Sequence, residues 1–383
     1  MAAALLAAAT VCGVAVAQTP VQPVPPAQRW SPRDATALLG EAQRSASEGL
    51  RAERYDTRSL QAAIDRGGPD LDSIADRIAL ALAHDYAVGA SPASARIGWG
   101  IDSTPIDYAA WLDSALARHE VVPALQALLP RAKEYEGLRA ALPGCDTPAH
   151  CVTIRVNLER WRWLPRDLGT NHILVNPAAY RLDLIEHDAV VSTHRVIVGK
   201  PTSPTPVFAT AVIGVTANPW WNVPQSIVAE SVGAMVRKQP AESARRGYVA
   251  TRGANGRISV RQRPGPRNAL GLVKLEMPNP HSVFIHDTPS RELFEQDRRA
   301  LSHGCIRTAR PDLLAKILLS PEGGAAFDQL MASGVNKTLP LAAPVPVFVA
   351  YFTAEPDTAA AGGVHFFDDL YGRDARVAAV LDR

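Results

Sequence analysis

The hydrophobic period changes once along this chain, and that change divides the fold. Up to Leu142 apolar residues recur at helical spacing in Ala/Leu-rich text. Leu71, Ile74, Ile78 and Leu82 make one stripe, and "YAAWLDSALARH" and "VVPALQALLPRAKEYEGLRAAL" follow with Pro123 and Pro130 as breaks. "IRVNLERWRWLP" still keeps Ile154, Leu158 and Trp161 on one helical face. From Asn171 the text breaks into "NHILVN", "AYRLDLIEHD", "AVVSTHRVIVGK", "PVFATAVIGV", "GLVKLEM" and "SVFIH". These runs are short, Val/Ile-rich and separated by Asn, Asp, Gly and Pro, which predicts β-strands. The expectation is an α+β multidomain chain: an α-helical scaffold domain over 31–143, then a β-rich domain over 152–340. The helical part shows no paired carboxylates, phosphate loop or ligand cluster, so any chemistry belongs to the second part.

Between the fourth and fifth strand runs lies a segment of about 224–266 with helical stretches, a glycine cluster and many cations. It is too long for a hairpin loop and is expected to be an inserted cap. Beyond Cys305, Pro311 and Pro321 stand at two helix starts and Gly334 at a stop. The tail over 341–383 reads as a β extension, two strands around a Gly-Gly turn and a closing loop, packed on the preceding domain. Apolar residues at 47%, charged residues at 20% and a net charge of +2 describe a globular chain. No basic run points to nucleic acid.

The N-terminal "MAAALLAAATVCGVAVAQTP" is apolar, too short to span a bilayer, and closes on Ala15-Val16-Ala17. It predicts a signal peptide over 1–17, export, and no lasting membrane span, although no Lys or Arg precedes the apolar core. Cys12 belongs to that leader, and 18–30 reads as a Pro-rich linker. Three cysteines then remain, and an oxidising compartment favours pairing two of them. Cys145 and Cys151, in "PGCDTPAHC", stand where Pro, Gly and Asp favour a turn and are expected to form a disulfide. Cys305 is left free.

Cys305 ends the tetrad Ser302-His303-Gly304-Cys305, and its thiol needs an imidazole or another positive field to become a nucleophile. If the tetrad is extended, His303 shares a face with Cys305; His286, at the end of "SVFIH", could equally be its cross-strand neighbour. Spacing leaves both open. Gly304 has no Cβ, so the amides of Gly304 and Cys305 could converge on a substrate oxygen as an oxyanion hole. A free thiol, a histidine within reach and a loosened backbone point to acyl transfer through a Cys-His pair. His281, His286, His303 and Cys305 are zinc-ligand types without a ligand-pair spacing, so neither metal nor cofactor is expected. A buried, inert cysteine is the plainer alternative.

His286, then fifteen residues, then Ser302-His303-Gly304-Cys305-Ile306 resembles the signature of the L,D-transpeptidases, with a YkuD-type catalytic domain. "NLERWRWLPRDLG", "ANPWWNVPQSI", "RNALGLVKLEMPNPHSVFIHDTPSRELF" and "FFDDLYGRD" are similar to the Gram-negative branch that carries a helical scaffold domain and a capping insertion. The resemblance implies a β-sandwich catalytic domain, a periplasmic location and a cysteine acyltransferase. Cys305 would attack the L,D-peptide bond of a peptidoglycan tetrapeptide stem, release D-alanine and pass the acyl group to a diaminopimelate amine, giving a 3→3 cross-link. His286 would be the general base, and Ser302, His303 and Gly304 would shape the oxyanion hole. Arg307, Trp221, Asn222 and Phe284 would touch substrate, and carbapenem-type β-lactams would acylate the thiol. Phe284 stands where many relatives carry tyrosine, and the peptidoglycan-binding insertion of larger relatives is replaced by the short Cys145–Cys151 loop. An L,D-carboxypeptidase, an amidase releasing wall-linked lipoprotein and a non-catalytic wall-binding protein are the competing readings.

Overall fold

The computed structural model describes residues 29–253 and 256–382; the expected leader, with Cys12, and most of the Pro-rich linker lie outside them. Residues 29 and 30, read as the linker's end, belong instead to the scaffold. Trp30 is buried and donates its indole N–H to Asp76 at 2.8 Å, and Arg29 pairs with Asp76 and Asp113. A large ring that finds a buried acceptor outweighs the extended preference of the preceding prolines.

The scaffold contains α1 (Pro32–Arg44), α2 (Thr57–Arg66), α3 (Leu71–Val88), α4 (Tyr108–Ala117), α5 (Val121–Gln126) and α6 (Lys133–Ala141). Side chains of Ser31, Asp56 and Asp107 cap α1, α2 and α4 by accepting amides three residues on. The α3 stripe packs inward as expected, with Leu71, Ile78 and Leu82 buried. A two-residue strand, β1 (Trp99–Gly100), interrupts the helices. No described helix is long and apolar enough to cross a membrane.

α7 (Pro148–Arg162) joins the two halves. The Cys145–Cys151 disulfide forms, with a Cα–Cα separation of 5.4 Å, and ties the first turn of α7 to the segment before it. Ile154, Leu158 and Trp161 face one core, while Val156 and the following Trp163 face the scaffold core. Each fully buried aliphatic side chain contributes roughly 1.5–3 kcal/mol, so a helix apolar on both sides holds the domains together. Its buried charges are paired, Arg162 with Glu159 at 3.1 Å and Arg160 with Asp374 at 2.7 Å.

The second half begins with β2 (His172–Asn176), β3 (Arg181–Glu186), β4 (Ala189–Gly199) and β5 (Val207–Ala217). The cap follows, with β6 (Trp221–Asn222), α8 (Gln225–Ile227), α9 (Gly233–Lys238), α10 (Pro240–Arg245), β7 (Tyr248–Arg252) and β8 (Ile258–Gln262). β6, β8 and β7 form a sheet of their own over a small core of Val223, Val228, Val232 and Val260. The insertion therefore folds as a unit that reaches back to Trp221, slightly before the expected start at 224.

The chain then adds β9 (Val273–Glu276), β10 (Ile285–His286), β11 (Ala300–Ser302), β12 (Ile306–Thr308), α11 (Pro311–Leu318), α12 (Pro321–Ser333) and β13 (Lys337–Val349). The ladder runs β1-β5-β13-β2-β3-β4-β12-β10-β9, and β9 pairs again with β5, so the expected sandwich closes into a barrel. Val198, Val215, Leu275, Ile285, Ile306 and Val347 fill it.

The division expected at 340/341 cuts through β13, which lies in the barrel between β5 and β2. Pro340, Pro344 and Pro346 disguise this strand, but β2 pairs only with 347–349, so the earlier stretch has one edge without ladder bonds, where prolines are tolerated. The tail continues as the hairpin β14 (Ala354–Pro356) and β15 (Val364–Phe366) and ends in a helix, α13 (Asp374–Leu381), rather than a loop. Val377 and Leu381 of α13 enter the scaffold core, so the chain's end packs on its first domain.

Candidate active site

β10 lies between β9 and β12. It pairs in parallel with β12, Ile285 opposite Ile306 and His286 opposite Arg307, and antiparallel with β9, His286 opposite Lys274. Residues opposite one another share a sheet face, so Lys274, His286 and Arg307 form a row across three strands. Cys305 sits just before β12, beside Phe284, whose carbonyl accepts the next amide, Ile306, at 2.9 Å. By strand alternation Cys305 is on the face of Arg307 and diagonal to His286.

His286 is buried. Its Nδ1 lies 2.5 Å from the Asp287 carbonyl, and a carbonyl only accepts, so Nδ1 carries the hydrogen. Burial, reinforced by Arg307, pushes the imidazole down to about 3, although the carbonyls of Asp287 and Leu270 pull the other way. It is therefore neutral at physiological pH. Asp287 is itself held by the Leu272 amide (2.9 Å) and Arg291 (3.1 Å), and Gly271 at φ +62° lies so close that a Cβ there would meet the Asp287 side chain at 2.4 Å.

The Cys305 thiol is pushed up by burial, while the Phe284 amide, Arg307 and Lys274 oppose that shift. The positive field around the sulfur thus comes from Arg307 and Lys274 rather than from an imidazolium. Phe284 serves the sulfur through its backbone, and its ring lies under the Lys274 ammonium at 4.1 Å. The sulfur also faces the Ser282 carbonyl at 3.9 Å. Arg307 makes no salt bridge or side-chain hydrogen bond among the described residues, whereas Lys274 pairs with Glu276 at 2.9 Å.

The tetrad takes one of the shapes that its spacing left open. It is not extended: Gly304 takes φ +115°, which L side chains rarely adopt, so the shared face of His303 and Cys305 is lost. His303 turns instead to the cap, its Nε2 3.0 Å from Glu230, which is 3.8 Å from Lys200. The Gly304 amide does not converge with that of Cys305 either. It donates to the Ser302 hydroxyl at 3.1 Å, and that hydroxyl donates to the Cys305 carbonyl at 2.6 Å. Ser302 therefore clamps the turn, and of the Gly304 and Cys305 amides only that of Cys305 has no hydrogen bond among the described residues.

Residues that sequence reading did not single out complete the support. Thr205 donates to the Gly304 carbonyl at 2.9 Å and accepts the Gly199 amide at 2.9 Å. Its own amide donates to the Tyr371 hydroxyl (3.2 Å), which donates to the Gly199 carbonyl at 2.8 Å. No periodicity marks such a chain of bonds, although Tyr371 lies in "FFDDLYGRD". Trp221 and Asn222 lie in β6, opposite Gln262 and Arg261, within the cap's sheet. His281 packs against Phe208 at 5.2 Å between ring centres, so the four zinc-ligand types do not converge. A cavity of about 420 Å³ opens at the junction with the scaffold beside Trp161, Arg166 and Glu355, and none of the residues in the Lys274–Arg307 row lines it.

Residues 170–323 match the family profile of the L,D-transpeptidase catalytic domain, YkuD, and residues 28–142 match that of a scaffold domain. A Haemophilus influenzae protein provisionally named an L,D-transpeptidase is 28% identical over 289 residues, 70% of this chain and 58% of that protein's length. Among solved structures, the Ldtfm–avibactam carbamoyl enzyme aligns at 16% identity and a TM-score of 0.25, over 49% of this chain and 52% of that one. The L,D-transpeptidase from Mycobacterium smegmatis aligns at 12% identity and a TM-score of 0.26, over 47% and 58%.

Proposed function

Because the chain carries a YkuD-type L,D-transpeptidase catalytic domain behind a helical scaffold domain, we propose that it is an exported peptidoglycan L,D-transpeptidase working through Cys305 and His286. The observation that supports this most is the register that sets a buried, neutral imidazole diagonal to the only free thiol among the described residues. A neutral base beside a protonated thiol suits proton transfer during attack, not a preformed ion pair.

The sulfur attacks the carbonyl between the third and fourth residues of a tetrapeptide stem while the unprotonated nitrogen of His286 takes the thiol proton. The C–S bond forms, the C–N bond breaks, and the imidazolium returns its proton to the departing D-alanine amine. A diaminopimelate amine then attacks the thioester, gives a proton to His286 and releases the thiol. Negative charge on the carbonyl oxygen is met by the Cys305 amide, with the unpaired Arg307 beside it. Ser302 and Thr205 act by holding the turn, and His303 acts at the cap.

Incubation of the full chain with disaccharide-tetrapeptide, followed by mass analysis, tests the proposal. Cross-linked dimers are expected. Tripeptide monomers alone would replace it with carboxypeptidation of the same bond, and unchanged substrate would refute both.

A further inference from the structure

The cap concentrates charge. Residues 221–268 hold nine Arg or Lys and two Glu, a net +7 in a chain whose total is +2, so the remainder carries −5. Four of these cations, Arg245, Arg246, Arg263 and Arg267, converge on one pocket of about 220 Å³ whose floor includes Pro264, Gly265 and Asn268. Arg245 ends α10 and Arg246 follows it, while Arg263 and Arg267 bracket the Pro-Gly-Pro turn after β8.

An ordinary solvated face would leave these backbones independent, but here two buried amides staple them together. Gln262 is 2% exposed and donates to the carbonyls of both Arg246 and Arg267, at 3.0 and 2.9 Å. Asn268 is 1% exposed and donates to the carbonyls of Pro219, Gln262 and Arg263, at 3.0, 3.3 and 2.9 Å. The Arg263 amide donates to the Gly247 carbonyl at 2.9 Å. The four guanidinium stems thus start from a rigid frame, which lowers the entropy cost of gathering them around an anion.

Glu242 pairs with both Arg245 and Arg246 at 2.6 Å, which leaves the cluster at +3. The Arg263 guanidinium makes no salt bridge or hydrogen bond among the described residues. A carboxylate would cancel one of those charges; a phosphate group brings about −1.5 to −2 and three acceptor oxygens that match guanidinium forks. We propose that the cap bears an anion site, apart from the thiol, in which Arg245, Arg246, Arg263 and Arg267 take a phosphate group, either free or on a lipid headgroup.

Calorimetric titration of the full chain with inorganic phosphate, and with acetate at equal ionic strength, tests it. Phosphate should bind about tenfold or more tightly than acetate. The Arg263→Gln/Arg267→Gln variant should lose that preference with an unchanged melting temperature, and Glu242→Gln, which frees two guanidiniums, should tighten phosphate several-fold. Phosphate binding no better than acetate, or unchanged in both variants, overturns the proposal. Sedimentation with phosphatidylglycerol but not phosphatidylcholine vesicles at about 0.15 M salt, lost in the double variant, assigns the phosphate to lipid. Phosphate binding without variant-sensitive sedimentation assigns it to a soluble source.

Discussion

His286 couples the site to folding stability, and the coupling can be measured without substrate. An unfolded imidazole takes up a proton near pH 6.5, whereas burial holds this one down to about 3. Between those values only the unfolded chain binds the proton, so stability present above pH 6.5 is lost as the pH falls. At pH 5 the linkage relation puts the loss from this one group at about 2 kcal/mol relative to pH 7. His286→Gln keeps an N–H for the Asp287 carbonyl but cannot titrate. Urea unfolding of both proteins at pH 7 and pH 5 isolates the effect. His194, whose burial also lowers its pKa, is present in both and cancels. The wild type should lose about 2 kcal/mol more than the variant. Equal losses would refute the neutral imidazole and with it the proton-transfer scheme.

Replacing Arg307 with Gln removes a positive neighbour that opposes the burial of the thiol, so the pH midpoint for iodoacetamide alkylation of Cys305 should rise. A lower or unmoved midpoint would exclude Arg307 from the sulfur's field. Thr205→Val deletes the bond that holds the Gly304 carbonyl, and kcat should fall about tenfold with KM unchanged; Thr205→Ser should restore it. Reducing the Cys145–Cys151 link, or replacing both with Ser, should cost about 2 kcal/mol for so short a loop. The melting temperature should drop, and the drop should vanish when the wild type is measured in reductant.

Much of this protein is written locally. The change from helical to strand period, the disulfide between Cys145 and Cys151, and the proline and glycine boundaries of α11 and α12 depend on neighbours within a few residues, where propensity and spacing act. The tetrad is equally legible, because its thiol, imidazole and glycine are neighbours in sequence. Other features depend on partners far along the chain. β13 was obscured because its prolines are tolerable only on an edge that pairing leaves open, and the final helix was missed because its apolar face meets the scaffold over 200 residues earlier.

The choice between two histidines was likewise tertiary. Spacing allowed either; the φ of Gly304 turned His303 toward Glu230, and the β10–β12 register brought His286 to the thiol's side. Lys274, Thr205 and Tyr371 came into the site only when strands distant in sequence were paired. The arginines of the cap are scattered through the sequence without forming a run, and only the frame held by Gln262 and Asn268 makes them one pocket. Local sequence sets which groups are available, while long-range hydrogen bonding and burial decide which of them face one another and in what protonation state.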